Sequence, residues 1–415
     1  MKGVKQTYDV IVIGGGAAGM MAAAIAGARG KRVLLLEKNK KLGEKLRITG
    51  GGRCNILNTE ADTRKLLSHF GDAAKFLFSP FSQFGVKETR AFFESHGLEI
   101  KEEANNRAFP VSENAEDVCI FFERLLHEYK VDVRTNMPIT EMVKRGEKIE
   151  YIIAGNETFK AEAYILATGG VSHPETGSNG DGFTWLAQLG HEVLPPKPTI
   201  VPLRVEETWI RDLSGTTLPD TKITFALQNE RKFSVRGNIL VTHFGLSGPI
   251  ILNNAAKVDD LLHEGVVSAY IDLFPDLDDG AFDALLRQTF DTHKNKAIRN
   301  ACKEILPPGT GNILASRFPG IDPETPVHSV TKEQRKNLVV FLKNIPLTIS
   351  GLMGMERAVV ADGGVSLSEI DTKTMRSLVC RNLFVVGDLL NITRPSGGYS
   401  LQLCWTTGYV AGSSV

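Results

Sequence analysis

Residues 8–38, YDVIVIGGGAAGMMAAAIAGARGKRVLLLEK, limit the possible folds of this chain more than any other stretch. The β-branched run at 8–13 predicts a strand, the small residues at 17–28 predict a helix, and the apolar run at 32–36 predicts a second strand. The intervening GGGAAG matches the pattern G-x-G-x-x-G at the strand-to-helix turn, where that pattern is meaningful. The stretch therefore predicts a βαβ unit that binds a dinucleotide.

Each glycine of that pattern has its own physical role. Gly14 permits the tight turn, Gly16 lets the backbone approach a pyrophosphate, and Gly19 lets the helix lie close to the strand. The phosphates are expected at the helix N-terminus, where free N–H groups attract anions. Glu37, at the end of the second strand, is expected to accept hydrogen bonds from a ribose and to disfavour a 2′-phosphate.

Chain length and charge set wider limits. A chain of 415 residues exceeds one ordinary core, so two or three domains are expected. Lys plus Arg and Asp plus Glu both number 48, so global charge does not indicate nucleic-acid or membrane binding. We recognise neither an apolar run of membrane-spanning length nor a signal peptide, and we expect a cytoplasmic protein.

The five cysteines are widely scattered along the chain and form neither a C-x-x-C nor a C-x-x-x-x-C pair. This spacing argues against a zinc site and against a redox-active disulfide. No His, Cys or acidic cluster has metal-ligand spacing, so no metal site is predicted.

Residues 39–55, NKKLGEKLRITGGGRCN, predict a long loop that is rich in glycine and basic residues. Long loops in compact domains are often functional. Three consecutive glycines, Gly50, Gly51 and Gly52, favour a backbone held close to a flat or anionic group. The alternative is a solvated charged loop.

The remaining pattern predicts an α/β fold that is interrupted by an insertion. Residues 1–195 form the first part of a Rossmann-like domain, a proline-rich linker follows, residues 196–345 form an inserted β and helical domain, and 346–415 return to the first domain. Two buried strands, one running into ATGG at 167–170 and one ending in Gly387-Asp388, should rejoin the first sheet. A βαβ unit with these two additions favours FAD over NAD, because the extended FAD molecule needs contacts from several parts of a chain.

Several motifs carry a resemblance over the full length of the chain: IGGGAAGMMAA, KLRITGGGRCN, YILATGG followed by GSNGDG, TIVPL, and GDLL followed by SGGYSLQ. The chain resembles bacterial FAD-dependent oxidoreductases of the two-dinucleotide-binding fold, a family that includes aminoacetone oxidase, bile-acid enone reductase and ribosomal RNA dihydrouridine synthase. The resemblance implies a Rossmann-like FAD-binding domain with an inserted β-barrel-like and helical domain.

The resemblance also implies the residues that hold FAD. The ADP half is assigned to Gly14, Gly16, Ala17, Ala18, Gly19 and Glu37; the pyrophosphate or ring edge to Lys38, Lys45, Thr49, Gly50, Gly51, Gly52 and Arg53; the adenosine side to Ala167, Thr168 and Gly169; the ribityl chain to Gly387 and Asp388; and the isoalloxazine to Gly398, Tyr399 and Ser400. Relatives often carry a second acid after the last strand, whereas this chain has Asn391 there.

Flavin chemistry would move a hydride at N5 and leave the protein to supply orientation and a proton. The candidate proton donors are Cys54, Tyr399 and His173, and Cys54 is preferred because it follows the glycine run. For Cys54 a packed thiol is an equal alternative, and for His173 a structural role is the simpler interpretation. NAD(P)H is the expected reductant, bound transiently, because the sequence contains no second G-x-G-x-x-G.

The sequence leaves the substrate open between a small enone or amine and a uridine in ribosomal RNA. Basic residues of the insertion could contact RNA phosphates, although a solvated helix face is the commoner arrangement: Lys294, Lys296, Arg299, Lys303, Lys332, Arg335 and Lys336. A flavin-binding sensor without turnover is a third alternative. The oligomeric state is not predicted.

Overall fold

A computed structural model describes residues 7–415. The chain folds into two compact units, one comprising the described residues up to Pro198 together with Val359–Val415, and one comprising Thr199–Ala358. Each unit has its own hydrophobic core.

The first part of unit 1 contains ten strands and seven helices, in this order: β1 Thr7–Ile13, α1 Ala17–Ala28, β2 Val33–Leu36, α2 Glu44–Ile48, β3 Leu57–Asn58, α3 Thr63–Ser68, α4 Ala74–Gln83, α5 Val86–Ser95, β4 Ile100–Glu103, β5 Arg107–Pro110, α6 Ala115–Glu128, β6 Asp132–Arg134, β7 Ile139–Arg145, β8 Lys148–Ala154, β9 Glu157–Leu166, α7 Asp181–Gln188 and β10 Val193–Ile200, whose last two residues belong to unit 2.

Unit 2 combines strands and helices: β11 Leu203–Val205, β12 Thr217–Leu227, β13 Glu230–Thr242, β14 Gly245–Ser247, α8 Pro249–Leu252, α9 Ala255–Glu264, β15 Val267–Asp272, α10 Asp279–Thr292, α11 Ile298–Ala301, α12 Gly311–Ala315, α13 Lys332–Leu342 and β16 Ile345–Leu352. Its strands close into a barrel in the order β11-β14-β13-β12-β15-β16. The expected β-barrel-like and helical insertion is thus present.

Unit 1 is completed by β17 Val360–Val365, β18 Leu383–Val385 and α14 Tyr399–Ser414. Its main sheet has the order β6-β2-β1-β9-β8-β7, and β18 pairs with β9. The pairs β1–β2, β1–β9, β2–β6 and β9–β18 are parallel. The carboxyl ends of β1, β9 and β18 therefore lie at one edge of the sheet, where α/β proteins bind their ligands.

Helices α1 and α14 approach each other closely through glycine. A Cβ atom at Gly408 would lie 2.5 Å from the carbonyl oxygen of Ala18, and one at Gly412 would lie 2.5 Å from that of Ala22. Both glycines thus allow the two backbones to pack without intervening side chains. This contact fixes the N-terminus of each helix beside the carboxyl edge of the sheet.

Three expectations from the sequence were wrong in detail. The stretch predicted as a long loop contains the short helix α2, and the proline-rich linker is the strand β10, which pairs with β17 in a two-stranded sheet where proline is tolerated at the edge. The expected return to unit 1 at residue 346 falls inside β16, because that strand closes the barrel; the units divide after Ala358.

No helix within residues 7–415 combines the length and apolarity needed to cross a membrane.

A buried histidine fixes the chain just after α7. His191 Nδ1 lies 2.7 Å from Glu369 Oε2, and its Nε2 lies 2.9 Å from Ser377 Oγ. Ser377 Oγ also accepts N–H bonds from Val379 and Cys380. Burial lowers the pKa of His191, although Glu369 opposes this effect. Neutral His191 therefore suits this network, with Nε2 accepting the Ser377 hydroxyl proton.

We expect His191 to make the stability of unit 1 depend on pH. Because its pKa is lower in the folded chain than the ordinary value of about 6.5, the unfolded chain binds more protons. Neutral His191 stabilises the folded chain above about pH 6.5, and this stabilisation is lost as the pH falls below that value and the histidine becomes protonated. Urea unfolding of His191→Gln should show a flatter decline from neutral to acidic pH than the wild type.

The matched control is His127→Gln, at an exposed position on α6, which should follow the wild-type pH profile. Equal pH slopes for wild type and His191→Gln would contradict the role given to His191.

Candidate functional site

A cleft of about 300 Å³ opens at the carboxyl edge of the main sheet. The turns that follow β1, β9 and β18 all line it, and their backbones are tied together: Ala167 N–H donates to Ile13 O at 2.8 Å, and Val386 N–H donates to Leu166 O at 3.2 Å. Because parallel strands end at the same edge, three distant parts of the sequence meet in one cleft.

Most of the predicted cofactor residues line this cleft: Gly14, Gly16, Ala17, Ala18, Glu37, Lys38, Lys45, Thr49, Gly50, Ala167, Thr168, Gly169, Gly387, Asp388, Gly398 and Ser400. The described residues that line it do not include Gly19, Gly51, Gly52, Arg53, Cys54, His173 or Tyr399.

The turn after β1 has the form that its glycines predict. Gly14 has φ +105°, and a Cβ atom there would lie 2.5 Å from the carbonyl oxygen of Ala167. A Cβ atom at Gly19 would collide with the carbonyl oxygen of Gly14, so helix α1 lies directly on the turn. At Gly16, by contrast, no atom lies within 4 Å of a Cβ position. Gly16 thus presents open backbone at the N-terminus of α1, which suits a phosphate group.

Glu37 holds the same turn from the other side. Its Oε2 accepts the Gly15 N–H at 2.7 Å, and its Oε1 accepts the Asn39 N–H at 2.7 Å. Burial raises the pKa of the Glu37 carboxyl, and the hydrogen bonds from Asn39 and Gly15 oppose that effect. The carboxylate therefore shapes the turn as well as lining the cleft.

The two lysines of the cleft are already paired with acidic or polar groups. Lys38 Nζ donates to Asn179 Oδ1 at 2.7 Å and to Asp181 Oδ2 at 2.9 Å. Lys45 Nζ donates to Ser172 Oγ at 2.5 Å and lies 3.3 Å from Asp388 Oδ2.

Asp388 lies between Lys45 and a buried arginine that the sequence did not reveal. Arg394 Nη2 contacts Asp388 Oδ1, while its Nε donates to Ser400 Oγ at 3.0 Å and its Nη1 donates to Ile392 O at 2.7 Å. The Arg394 side chain is only 2% exposed. Burial alone would raise the pKa of Asp388, but the charges of Arg394 and Lys45 lower it, so the carboxylate is ionised.

The glycine run after α2 forms a tight turn over Thr49–Gly52. Gly50 has φ +58°, and a Cβ atom there would lie 2.9 Å from the Asn55 backbone nitrogen. Arg53 pairs with Glu103 and Glu113, and its guanidinium lies 4.1 Å from the centre of the Phe109 ring. The observed partners of Arg53 are thus acids and an aromatic ring of unit 1.

The three candidate proton donors lie in different surroundings. Cys54 is fully buried, and burial raises the pKa of its thiol to about 12. His173 Nδ1 lies 2.8 Å from Glu175 Oε1. The Tyr399 ring packs against Phe70 with its centroid 5.8 Å away, and burial raises the pKa of the phenol.

Two buried polar atoms in the lining residues indicate a polar ligand. Thr168 Oγ1 and Asn55 Oδ1 are shielded from solvent, and neither has a hydrogen-bond partner in the described chain. An unpaired buried group costs about 1–3 kcal/mol. Together with the open backbone at Gly16, they fit the hydroxyl and phosphate groups of a dinucleotide such as FAD. No group of three or more His, Cys, Asp or Glu side chains within residues 7–415 is arranged to hold a metal ion.

Two residues that line the cleft and one that contacts its lining were not predicted. Asn55, Trp185 and Arg394 each lie within a few residues of a recognised glycine motif, and that proximity was the available signal. Their placement depends on pairing between distant segments.

We expect Arg394→Gln to destabilise unit 1 by about 3–5 kcal/mol, because it leaves the Asp388 carboxylate without its buried partner. The double variant Arg394→Gln/Asp388→Asn should recover part of that loss, which a double-mutant cycle of urea unfolding would measure.

Arg381→Gln is the matched control for that cycle. Arg381 Nε lies 2.6 Å from Glu147 Oε2, but both side chains are more than half exposed, so its loss should cost less than about 1 kcal/mol. A purely additive cycle for Arg394 and Asp388 would show that the two side chains are not coupled.

The comparisons with known proteins cover nearly the whole chain. The model of the HI0933-like protein Rossmann domain family matches residues 8–414. The chain is 31% identical over 411 residues to a 3-dehydro-bile acid delta(4,6)-reductase of Clostridium scindens, covering 97% of each chain. It is 28% identical over 417 residues to a ribosomal RNA dihydrouridine synthase of Haemophilus influenzae, covering 99% of each chain.

Solved structures share the fold at low sequence identity. A 3-ketosteroid delta1-dehydrogenase from Sterolibacterium denitrificans matches with a TM-score of 0.56 at 12% identity, covering 98% of each chain. A 3-ketosteroid-delta4-(5alpha)-dehydrogenase from Rhodococcus jostii RHA1 matches with a TM-score of 0.54 at 13% identity, covering 100% of this chain and 98% of that one. With the fold, the cleft and the full-length family match agreeing, the chain belongs to the HI0933-like protein Rossmann domain family, a family of FAD-dependent oxidoreductases.

Proposed function

We propose that this protein uses bound FAD to reduce a carbon–carbon double bond conjugated to a carbonyl, with NAD(P)H as a transiently bound electron donor. The observation that carries the proposal is the cleft, which is lined by three glycine turns and by two residues, Thr168 and Asn55, that each have a buried side-chain oxygen without a hydrogen-bond partner in the described chain. A cytoplasmic location belongs to the same proposal, because NAD(P)H and ribosomal RNA are found there.

The names of the full-length relatives support this choice of chemistry. One is a reductase that acts at delta(4,6) of a 3-dehydro-bile acid, and two are ribosomal RNA dihydrouridine synthases. A 3-keto compound with such double bonds and a uridine both contain a double bond conjugated to a carbonyl. Reduction of that double bond is the chemistry that the two kinds of relative share.

Bound FAD would supply the hydride transfer, and this chain would supply binding and orientation. Gly14, Gly16 and the first turn of α1 would hold the pyrophosphate, and Glu37 would accept hydrogen bonds from the ribose. Asp388, kept ionised by Arg394 and Lys45, would accept hydrogen bonds from the ribityl hydroxyls.

Tyr399 is the proton donor that we propose. It is the first residue of α14, and its neighbours Gly398 and Ser400 both line the cleft. Burial raises the pKa of its phenol, and the charge of Glu60 raises it further, so the phenol carries a proton at neutral pH. Cys54 is a weaker candidate, because its thiol is fully buried.

Tyr399→Phe should slow substrate reduction by roughly 10²–10⁴-fold, because the carbon that receives the proton loses its donor. Flavin reduction by NAD(P)H should be unchanged, since that step does not use the donor. Stopped-flow absorbance separates the two half-reactions. The control is Tyr409→Phe, because Tyr409 is on the same helix and its ring stacks on Phe84 with the centroids 4.0 Å apart. Loss of both half-reactions in Tyr399→Phe would contradict a donor role.

The uridine of ribosomal RNA is a second candidate substrate, favoured by the synthases that match this chain over nearly their full lengths. The structure gives the predicted basic cluster less free charge than its sequence suggests. Lys296 lies 3.6 Å from Glu304, Arg299 lies 2.9 Å from Glu324, and Arg335 lies 2.6 Å from Asp283.

The net charge of unit 2 also bears on the choice between an RNA and a small-molecule substrate. Residues 199–358 contain 18 Lys plus Arg and 19 Asp plus Glu, a net charge of −1. RNA-binding surfaces usually carry a basic excess, so this composition favours the small-molecule substrate.

The test uses the purified full chain with its bound flavin under anaerobic conditions. NADH or NADPH should bleach the flavin absorbance, and either a cyclic enone or ribosomal RNA from cells without this gene should restore it. Mass spectrometry should then show a gain of two hydrogens in that substrate. Gly16→Val is the matched control, because a Cβ atom at Gly16 lies more than 4 Å from surrounding residues, and the valine side chain would occupy the space given to the pyrophosphate.

A gain of hydrogen in the enone alone identifies a small-molecule reductase, and dihydrouridine in the RNA identifies a synthase. If the bound flavin is reduced by neither coenzyme, the reductase proposal fails and a flavin-binding sensor becomes the better explanation. Oxidation of an amine with flavin bleaching would instead indicate an amine oxidase.

A further inference from the structure

One aromatic side chain of the cleft has no part in the function proposed above. Helix α7 begins at Asp181, and Trp185 follows one turn later, so the two side chains lie on the same face of the helix. Both residues line the cleft. Trp185 is half-buried and packs against the core of unit 1. The helix therefore presents part of an indole ring to the cleft.

The contacts of Asp181 show which end of the cleft this is. Asp181 Oδ2 accepts a hydrogen bond from Lys38 Nζ at 2.9 Å, and Lys38 directly follows Glu37. The Met137 N–H donates to the Glu37 carbonyl oxygen at 2.9 Å. Trp185, Met137 and Glu37 thus belong to the same end.

Beside Glu37 and the Lys38–Asp181 pair, that end also has apolar side chains. Leu36, Met137, Ile139 and Trp185 line it, and they offer a surface suited to a flat ring. A ligand with its phosphates at Gly16 and its ribose at Glu37 would place its base on this surface.

The other two tryptophans have different surroundings. Trp405 is fully buried, and its Nε1 donates to Ile56 O at 3.0 Å. Trp209 lies in unit 2, with the Arg317 guanidinium 5.8 Å from its ring. Trp185 is therefore the tryptophan that lines the cleft, and its fluorescence can report on a ligand there.

We propose that Trp185 is the platform on which the adenine ring of the cofactor stacks, so that the Glu37 end of the cleft binds an adenine nucleotide without a flavin. This inference rests on the FAD site of the proposed function. Stacking of a base on an aromatic side chain suffices to change affinity by about 10-fold.

The experiment titrates ADP into the full chain after removal of its flavin and follows tryptophan emission. ADP should quench the emission. Riboflavin, which lacks adenine, should not compete with ADP for the site. Trp185→Leu should remove the ADP-induced quenching and weaken ADP binding about 10-fold by calorimetry, and Trp185→Phe, which keeps an aromatic ring, should retain most of the affinity.

Trp209→Leu is the matched control, and its ADP affinity and quenching should equal those of the wild type. Unchanged ADP affinity in a folded Trp185→Leu chain would overturn the inference, as would a wild-type chain that binds FAD but not ADP. Either result leaves the proposed reduction intact, because that is judged by flavin bleaching and substrate mass. Conversely, Trp185-dependent ADP binding in a chain that reduces no substrate would support the inference and not the proposed function.

Discussion

The contact between the turn after β1 and the turn after β9 determines how the rest of unit 1 is arranged. A side chain at Gly14 would collide with the carbonyl oxygen of Ala167, and Gly19 lets α1 lie on the same turn. Glu37 secures the loop from a third direction through the Gly15 N–H. Because the close approaches at Gly14 and Gly19 are to backbone atoms, only glycine permits them, and the absence of side chains at these positions shapes the cleft.

The charges in the cleft are largely balanced within the protein. Lys38 pairs with Asp181, and Asp388 lies between Lys45 and Arg394. An anionic ligand would consequently be recognised by backbone N–H groups at the N-terminus of α1 more than by free cationic side chains. This balance also keeps buried charges paired, which a low-dielectric interior requires.

The packing of α1 against α14 connects the two ends of the chain. Gly408 and Gly412 let α14 lie against the backbone of α1, so a helix that begins near residue 17 and one that begins near residue 399 both start at the cleft. The segments that line the cleft and are far apart in sequence are thus held by one helix pair and one parallel sheet. Unit 2, in contrast, is an independent barrel whose own core does not depend on these contacts.

Local sequence was sufficient for the βαβ unit, because the glycine spacing, the β-branched strand residues and the Ala-rich helix all act over a few neighbouring residues. The same holds for β18, and the resemblance of the motifs led correctly to the family. The short helix α2, the strand β10 and the boundary inside β16 were missed, because each depends on partners supplied by distant segments.

Prediction of the site from sequence was limited in the same way. The sequence motifs predicted the glycines and Asp388 as site residues, but they could not show that Arg394 would be buried against Asp388 or that Trp185 would line the cleft. Hydrogen bonds and ion pairs between segments far apart in the chain form only when the sheet brings those segments together. The motifs therefore determined the kind of ligand, and the tertiary structure decided which charged and aromatic side chains surround it.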